Sequence, residues 1–355
     1  MRVVPAFAAA VLAALVLIRP AEGDANAYRA AVSFWAMRHE FLDRETNTYR
    51  ETTGQNATAH AWSYSQALAA TIAMTAIPKR GRLYVAEARR RIDGLRRYLR
   101  NGAYTAGAGS GDVYYDDNEW IALELMRWWN LRRQRFALAR AARLFGVVER
   151  AWDRDKSHPC PGGVFWTTAR GNDDRNTVTT ATGALLAMKL YEATRNRIYV
   201  AWARRMLTWV ENCMRAPDGL LWDHLGLDGA RDETHWSYNQ GTAIGANVLL
   251  FRLTGDRAAL ARAEELANSS LAYFDRTPGG REPPYFLAIF FRNALALAAV
   301  DGNRAYRDAA QAYADAAWQH SRIAGTNVFR FGSRATTLLG QAAMVQIYAA
   351  LTGAR

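Results

Sequence analysis

The sequence has little of what marks several common enzyme classes. It holds two cysteines, Cys160 and Cys213, and six scattered histidines in 355 residues. There is no CxxC pair and no HExxH, so neither a structural zinc nor a metalloprotease site is expected, and no metal or cofactor is assigned. No segment sustains period-two alternation, which excludes a large half-buried sheet. Beyond the first two dozen residues no run reads as apolar enough to span a bilayer, so no stable membrane insertion is expected. Nucleic-acid motifs are missing as well. The net charge of +12, carried mostly by Arg as in Arg89-Arg90-Arg91, Arg132-Arg133 and Arg204-Arg205, therefore reads as solvated helix faces, with adhesion to an anionic wall polymer left open.

What is present begins with a leader. Met1-Arg2 is a short basic start, Val3 to Ile18 is apolar, and small residues at Ala21 and Gly23 suit cleavage after Gly23. Residues 1–23 are read as a signal peptide and 24–355 as one exported catalytic domain, expected to be a monomer. An oxidising destination permits a Cys160–Cys213 disulfide, against two free buried thiols. Half of the residues are hydrophobic and 12% aromatic, enough for a large core and suited to stacking on sugar rings.

Apolar residues recur at three- and four-residue spacing in about twelve blocks. The expected helices are 25–39, 60–76, 82–100, 116–130, 135–152, 177–194, 198–214, 238–253, 257–274, 285–300, 304–320 and 334–351. Tight turns alternate with long loops at 101–115, 153–176, 216–236, 275–284 and 321–333. A hairpin unit thus recurs about every 50 to 60 residues, with all hairpins pointing the same way. Helices that follow long loops are small and apolar all round, as in Gln66-Ala67-Leu68-Ala69-Ala70, and should be buried on every side. The fold class is all-α: six hairpins closing into an (α/α)6 barrel, with an open solenoid as the alternative. The helix from Ala25 would close the ring as outer partner of the last inner helix.

Long loops and inner-helix starts then meet at one end, where a cleft is expected. Polar and aromatic residues gather there, among them the candidate substrate contacts Trp62, Tyr64, Tyr115, Asn118, Thr177 and Asn239. Asp116 and Asp117 open an inner helix. Retaining glycoside cleavage needs two carboxyl groups about 5 Å apart, a separation that neighbours at a helix start can reach. First-turn amides favour an ionised carboxylate, and a second carboxylate beside it tends to keep its proton. Spacing does not say which is which, and simple helix capping by Asp116 is the competing reading.

Tyr114-Tyr115-Asp116-Asp117-Asn118-Glu119-Trp120 resembles the catalytic segment of glycoside hydrolase family 76, the endo-α-1,6-mannanases. Pro161-Gly162-Gly163-Val164-Phe165-Trp166, Thr177 to Leu186, Asp218 to Asp223 and Tyr238-Asn239-Gln240-Gly241 follow in the family's order. Glu119 departs from the small residue frequent there. The resemblance implies an (α/α)6 barrel, a retaining mechanism, Asp116 as nucleophile and Asp117 as general acid/base. It also implies Asp223 beside the reacting sugar and Trp166, Tyr238 and Gln240 along the groove. The expected partner is a polysaccharide, an α-mannan. A transglycosidase on cell-wall glycans, a turnover-less carbohydrate-binding protein and another enzyme of the same barrel, such as an unsaturated-uronyl hydrolase, are the alternatives.

Overall fold

The computed structural model describes the backbone of residues 22–332 and 335–353 and side chains from Ala25 onward. The expected leader lies outside the described residues except for Glu22 and Gly23, which open the first helix. Twelve helices follow: α1 (Glu22–Phe41), α2 (Ala61–Met74), α3 (Val85–Gly94), α4 (Tyr115–Arg132), α5 (Arg135–Arg150), α6 (Thr177–Thr194), α7 (Ile198–Met214), α8 (Ser237–Thr254), α9 (Arg257–Tyr273), α10 (Pro284–Asp301), α11 (Ala305–His320) and α12 (Leu338–Gly353).

The even-numbered helices form the inner ring. Each packs on the next, α2 on α4 and so on round to α10 on α12, and α12 returns to α2, so the solenoid alternative is excluded. The odd-numbered helices lie outside, each against its inner partner, and α1 covers α12 as expected. Composition explains the division. Every residue of α2 but Trp62 and the first twelve residues of α6 are buried, whereas α5 buries only Ala137, Ala141, Leu144, Phe145 and Val148, one stripe of an amphipathic helix. Four of the five tight turns begin with a left-handed residue that ends an inner helix: Arg133, Arg195, Gly255 and Gly302.

Three expectations need correction. The third helix is shorter than 82–100, because 3-10 turns at Gly81–Tyr84 and Leu95–Arg97 flank it. Gly94, its last residue, lies where a Cβ would come within 2.1 Å of the Tyr64 hydroxyl, so a side chain there would clash with the inner ring. Helix α10 is, by length and composition, apolar enough to cross a membrane. Its place in the inner ring accounts for that character. Finally, the loops are not free of strands. Val164–Phe165, Asp174–Asn176, His224–Gly226 and Arg231–Asp232 form a four-stranded antiparallel sheet that ties two long loops together. Such two- and three-residue strands are too short to leave a periodic signal.

Cys160 and Cys213 form a disulfide, with Cα atoms 6.1 Å apart, so the free-thiol alternative falls. Beside it, the fully buried Arg175 gathers the loop. It donates to Asp153 and to the carbonyls of Pro159, Cys160, Gly162 and Gly226 at 2.9 to 3.3 Å.

Candidate active site

Side chains at the start of each inner helix take one of two directions, set by the 100° advance per residue. Second residues turn toward the barrel axis: Trp62, Asp116, Tyr238, Tyr285 and Leu339 all line one cavity of about 910 Å³ at the long-loop end. This lies near the upper end of the roughly 300–1,000 Å³ usual for ligand pockets. Third residues Ser63, Asp117 and Phe286 line it too.

Fourth residues turn the other way, toward the returning loop. Asn118 accepts from the Tyr104 amide (2.7 Å) and donates to its carbonyl (2.9 Å). Gln240 does the same to Leu221, at 2.9 Å each way, and Gln341 accepts from Phe329 N–H at 3.0 Å. In α6, Thr180 accepts from Val164 N–H and Thr179 donates to its carbonyl. In α2 the fourth residue is Tyr64, whose hydroxyl donates to the Arg91 carbonyl at 2.7 Å while its ring packs between Tyr49 and Tyr98. Tyr64, Asn118 and Gln240 are therefore corrected from sugar contacts to loop and outer-ring supports. They are buried and absent from the cavity wall.

Other candidates divide similarly. Thr177 is buried and holds the loop ahead of Asp223, its hydroxyl donating to the Trp222 carbonyl at 2.6 Å and its amide to that of Asp223 at 2.8 Å. Asn239 is also buried and donates to the Asp223 carboxylate at 3.0 Å. Tyr115 packs half-buried against the core and does not line the cavity. Trp62, Trp166, Asp223 and Tyr238 do. The chain at residues 113–115 pairs with residues 166–168 through Tyr115 N–H to the Trp166 carbonyl (2.9 Å) and Thr168 N–H to that of Val113 (3.0 Å). That pairing fixes Trp166, 39% exposed, beside Asp116. Trp62 meets Trp120 and Tyr285 edge-on or tilted, and Tyr238 stacks on Phe286 with centroids 4.0 Å apart.

The N-cap of α4 is Tyr114, with no side-chain cap bond, so the paired aspartates sit within the first turn. Their environments differ. Burial pushes Asp116 up to about 7, assisted by the Asp223 charge, while the amides of Asp117 and Asp116 and the Trp166 indole pull it back. Asp117 is raised well above the ordinary range by burial, then by the charges of Asp116 and Glu51, with no donor pulling it back. Glu119, one turn on, is fully buried and has no partner on either oxygen. Burial and the Asp116 charge raise it strongly, so it is held neutral.

Sequence reasoning passed over Glu51, His60, His224, Tyr285 and Phe286, which also line the cavity. Glu51 accepts from His60 N–H (3.1 Å) and Ser63 Oγ (2.9 Å). Its signal was positional: the loop between α1 and α2 precedes an inner helix and so belongs to the cleft end. His224 bonds Asp223 through Nδ1 at 3.0 Å, which raises the imidazole pKa. Among the described residues, Asp223, His224 and Asp232 come close enough to resemble metal ligands, with donor atoms within 4.8 Å of one another. The direct His224–Asp223 bond and the cross-strand pairing of His224 with Asp232 already explain that spacing.

Comparison with known proteins agrees with this architecture. The model of glycosyl hydrolase family 76 matches residues 26–281. A mannan endo-1,6-alpha-mannosidase of Candida glabrata is 29% identical over 143 residues, 38% of this chain and 31% of the relative. The Saccharomyces cerevisiae protein of the same name is 27% identical over the same length, again 31% of the relative. The aligned stretch is thus about a third of the length of these curated relatives. A family 76 mannosidase from Bacteroides thetaiotaomicron superposes with a TM-score of 0.84 at 23% identity, covering 92% of this chain and 98% of that one. An α-1,6-mannanase of Salegentibacter, in an inactive variant with two consecutive Asp→Asn changes and in complex with α-1,6-mannotriose, superposes with a TM-score of 0.80 at 21% identity over 93% and 100% of the two chains. A family match across most of its length, on a closed ring of six helical hairpins, makes this chain a member of glycosyl hydrolase family 76.

Proposed function

We propose that the chain is a retaining endo-α-1,6-mannanase in which Asp116 is the nucleophile and Asp117 the general acid/base. The observation that carries the reading is the unequal treatment of two neighbouring carboxyl groups on one cavity wall. Asp116 has amides and an indole N–H to support its anion, so it ionises first. Asp117 faces two other carboxylates and keeps its proton.

In the first step the Asp116 carboxylate attacks the anomeric carbon as the bond to the leaving oxygen breaks, and Asp117 gives that oxygen its proton. Forming the glycosyl ester discharges Asp116, which frees Asp117 to act as base. It then takes a proton from the water that attacks the same carbon, returning both groups to their starting states. Asp223, anchored by Asn239 and His224, is suited to accept hydrogen bonds from sugar hydroxyls. Trp62, Trp166 and the Tyr238–Phe286 stack supply apolar faces for the sugar rings. The inactive relative with two consecutive aspartates replaced supports the assignment, and the substrate linkage rests on the mannanase names of the relatives. Export as a monomer to the cell envelope or medium is part of the proposal, consistent with the apolar leader and with a disulfide, which persists in oxidising compartments.

Incubation with a debranched α-1,6-mannan, followed by NMR of the reducing ends, tests the reading. Early α-anomer is expected from wild type, and none from Asp116→Asn or Asp117→Asn, both still helical by circular dichroism. Early β-anomer, or turnover near the wild-type rate in either variant, would refute it.

A further inference from the structure

The end of the barrel opposite the cleft carries a charge pattern that helix electrostatics does not explain. Each of the five tight turns has an arginine at or just ahead of the next helical turn: Arg80 before the 3-10 turn that leads to α3, Arg135 first in α5, Arg197 capping α7, Arg257 first in α9 and Arg304 capping α11. A cation at a helix N-terminus opposes the macrodipole. Arg133, Arg195 and Arg252, at the C-termini of inner helices, are favoured by that dipole; the five at N-termini are not. All five are exposed, and none pairs with a carboxylate among the described residues. Two of the carboxylates at this end are already engaged, Asp256 with Arg204 of α7 and the start of α9, and Asp301 with the Asn303 amide.

Large apolar side chains are interleaved with these cations. Leu83, Leu131, Phe136 and Ile198 are 68%, 38%, 49% and 52% exposed, and all four lie in or beside the tight turns. They make up half of the strongly exposed large apolar residues described. The cleft itself is lined instead by Glu51, Asp116, Asp117, Asp174 and Asp223, with Glu282 held on the Ser237 amide beside it. The wall of the cleft is thus acidic where the tight-turn face is basic.

We infer that the tight-turn face docks peripherally on an anionic lipid bilayer, holding the cleft away from the membrane. Cations alone would suit any polyanion. The exposed aliphatic and aromatic residues among them favour a surface with an acyl boundary to enter. The docking is peripheral and reversible, with charge and apolar contact acting together.

The test is sedimentation of the full chain with vesicles of mixed phosphatidylcholine and phosphatidylglycerol, or of phosphatidylcholine alone. Binding is expected only to the anionic vesicles and should weaken with added salt. The quadruple variant Arg135→Glu/Arg197→Glu/Arg257→Glu/Arg304→Glu should lose on the order of a hundredfold or more in partitioning. It puts acids where helix dipoles favour them, so its melting temperature should hold, and cleavage of soluble mannan oligosaccharides should be unchanged. The N-terminal segment is common to both proteins and cannot produce the difference. A second variant, Leu131→Ser/Phe136→Ser/Ile198→Ser, should weaken vesicle binding while leaving binding to a soluble polyanion such as heparin intact. Equal partitioning of wild type and the quadruple variant, or binding to heparin without binding to anionic vesicles, would overturn the inference.

Discussion

Replacing Asp116 with Asn should make the protein more stable while removing its activity. Burial raises Asp116 from 3.8 to about 7, roughly three pKa units, or about 4 kcal/mol at about 1.36 kcal/mol per unit. Since the folded-state value lies above the unfolded one, the native chain holds this proton more tightly. Its stability is full below the unfolded value and falls as pH rises from about 4 to about 7, then levels off. Asparagine has nearly the same shape and never ionises, so it escapes this loss. The pull of the two amides and the Trp166 indole is already contained in that net shift. The gain at pH 8 is therefore up to about 4 kcal/mol, or a melting temperature higher by about 5–6 °C at roughly 2.1 cal/mol/K of unfolding entropy per residue. Near pH 4 most of the gain should vanish. Circular-dichroism melts of both proteins at pH 4 and pH 8 measure it. A variant no more stable than wild type at pH 8, or an increment equal at both pH values, would refute the argument.

The pH–rate profile should be bell-shaped. Its acid limb should lie near pH 7, where Asp116 ionises, and its alkaline limb higher, where Asp117 loses its proton; a limb below pH 5 would contradict this order. Gly241→Ala should destabilise by about 1–3 kcal/mol, because its Cβ would lie 2.7 Å from the Phe290 Cα across the α8–α10 contact; a urea titration reads this. Arg175→Met removes the buried guanidinium that holds Asp153 and four loop carbonyls together. It should cost about 3–5 kcal/mol and lower kcat/KM through the adjoining sheet. Reducing the Cys160–Cys213 bridge, which spans 53 residues, should cost about 2–4 kcal/mol yet leave most activity at room temperature, as Arg175 still holds the loop.

The ring itself was legible because loop lengths alternate and because a helix buried on all sides has no polar stripe. The Asp116–Asp117 pair was legible because neither residue belongs on such a helix without a reason. The error over Tyr64, Asn118 and Gln240 has one cause. A polar or aromatic run at a helix start shows that an end is busy but not which way each side chain turns. Trp62 and Tyr64 are two residues and 200° apart, so one meets the cavity and the other the outer ring. Counting from the true first residue of each helix would have sorted them, but sequence does not fix that residue to better than a turn. The short sheet strands and Arg175 left no signal, since their partners come from loops far apart in sequence.

Closure of the ring has a consequence for how the chain is made. Helix α12 supplies the last stave, lying between α2 and α10 and beneath α1. Until it emerges from the ribosome, the earliest helices have an unfilled apolar flank and the basin around Asp116 lacks a side. Assembly thus depends on contacts between residues some 300 positions apart, such as Gln341 donating to the Ser33 carbonyl, and pairings of that span are slow to form. A nascent chain stalled one helix short should be sticky and inert, and a circular permutant opened at a tight turn, with its old ends joined, should escape that vulnerability.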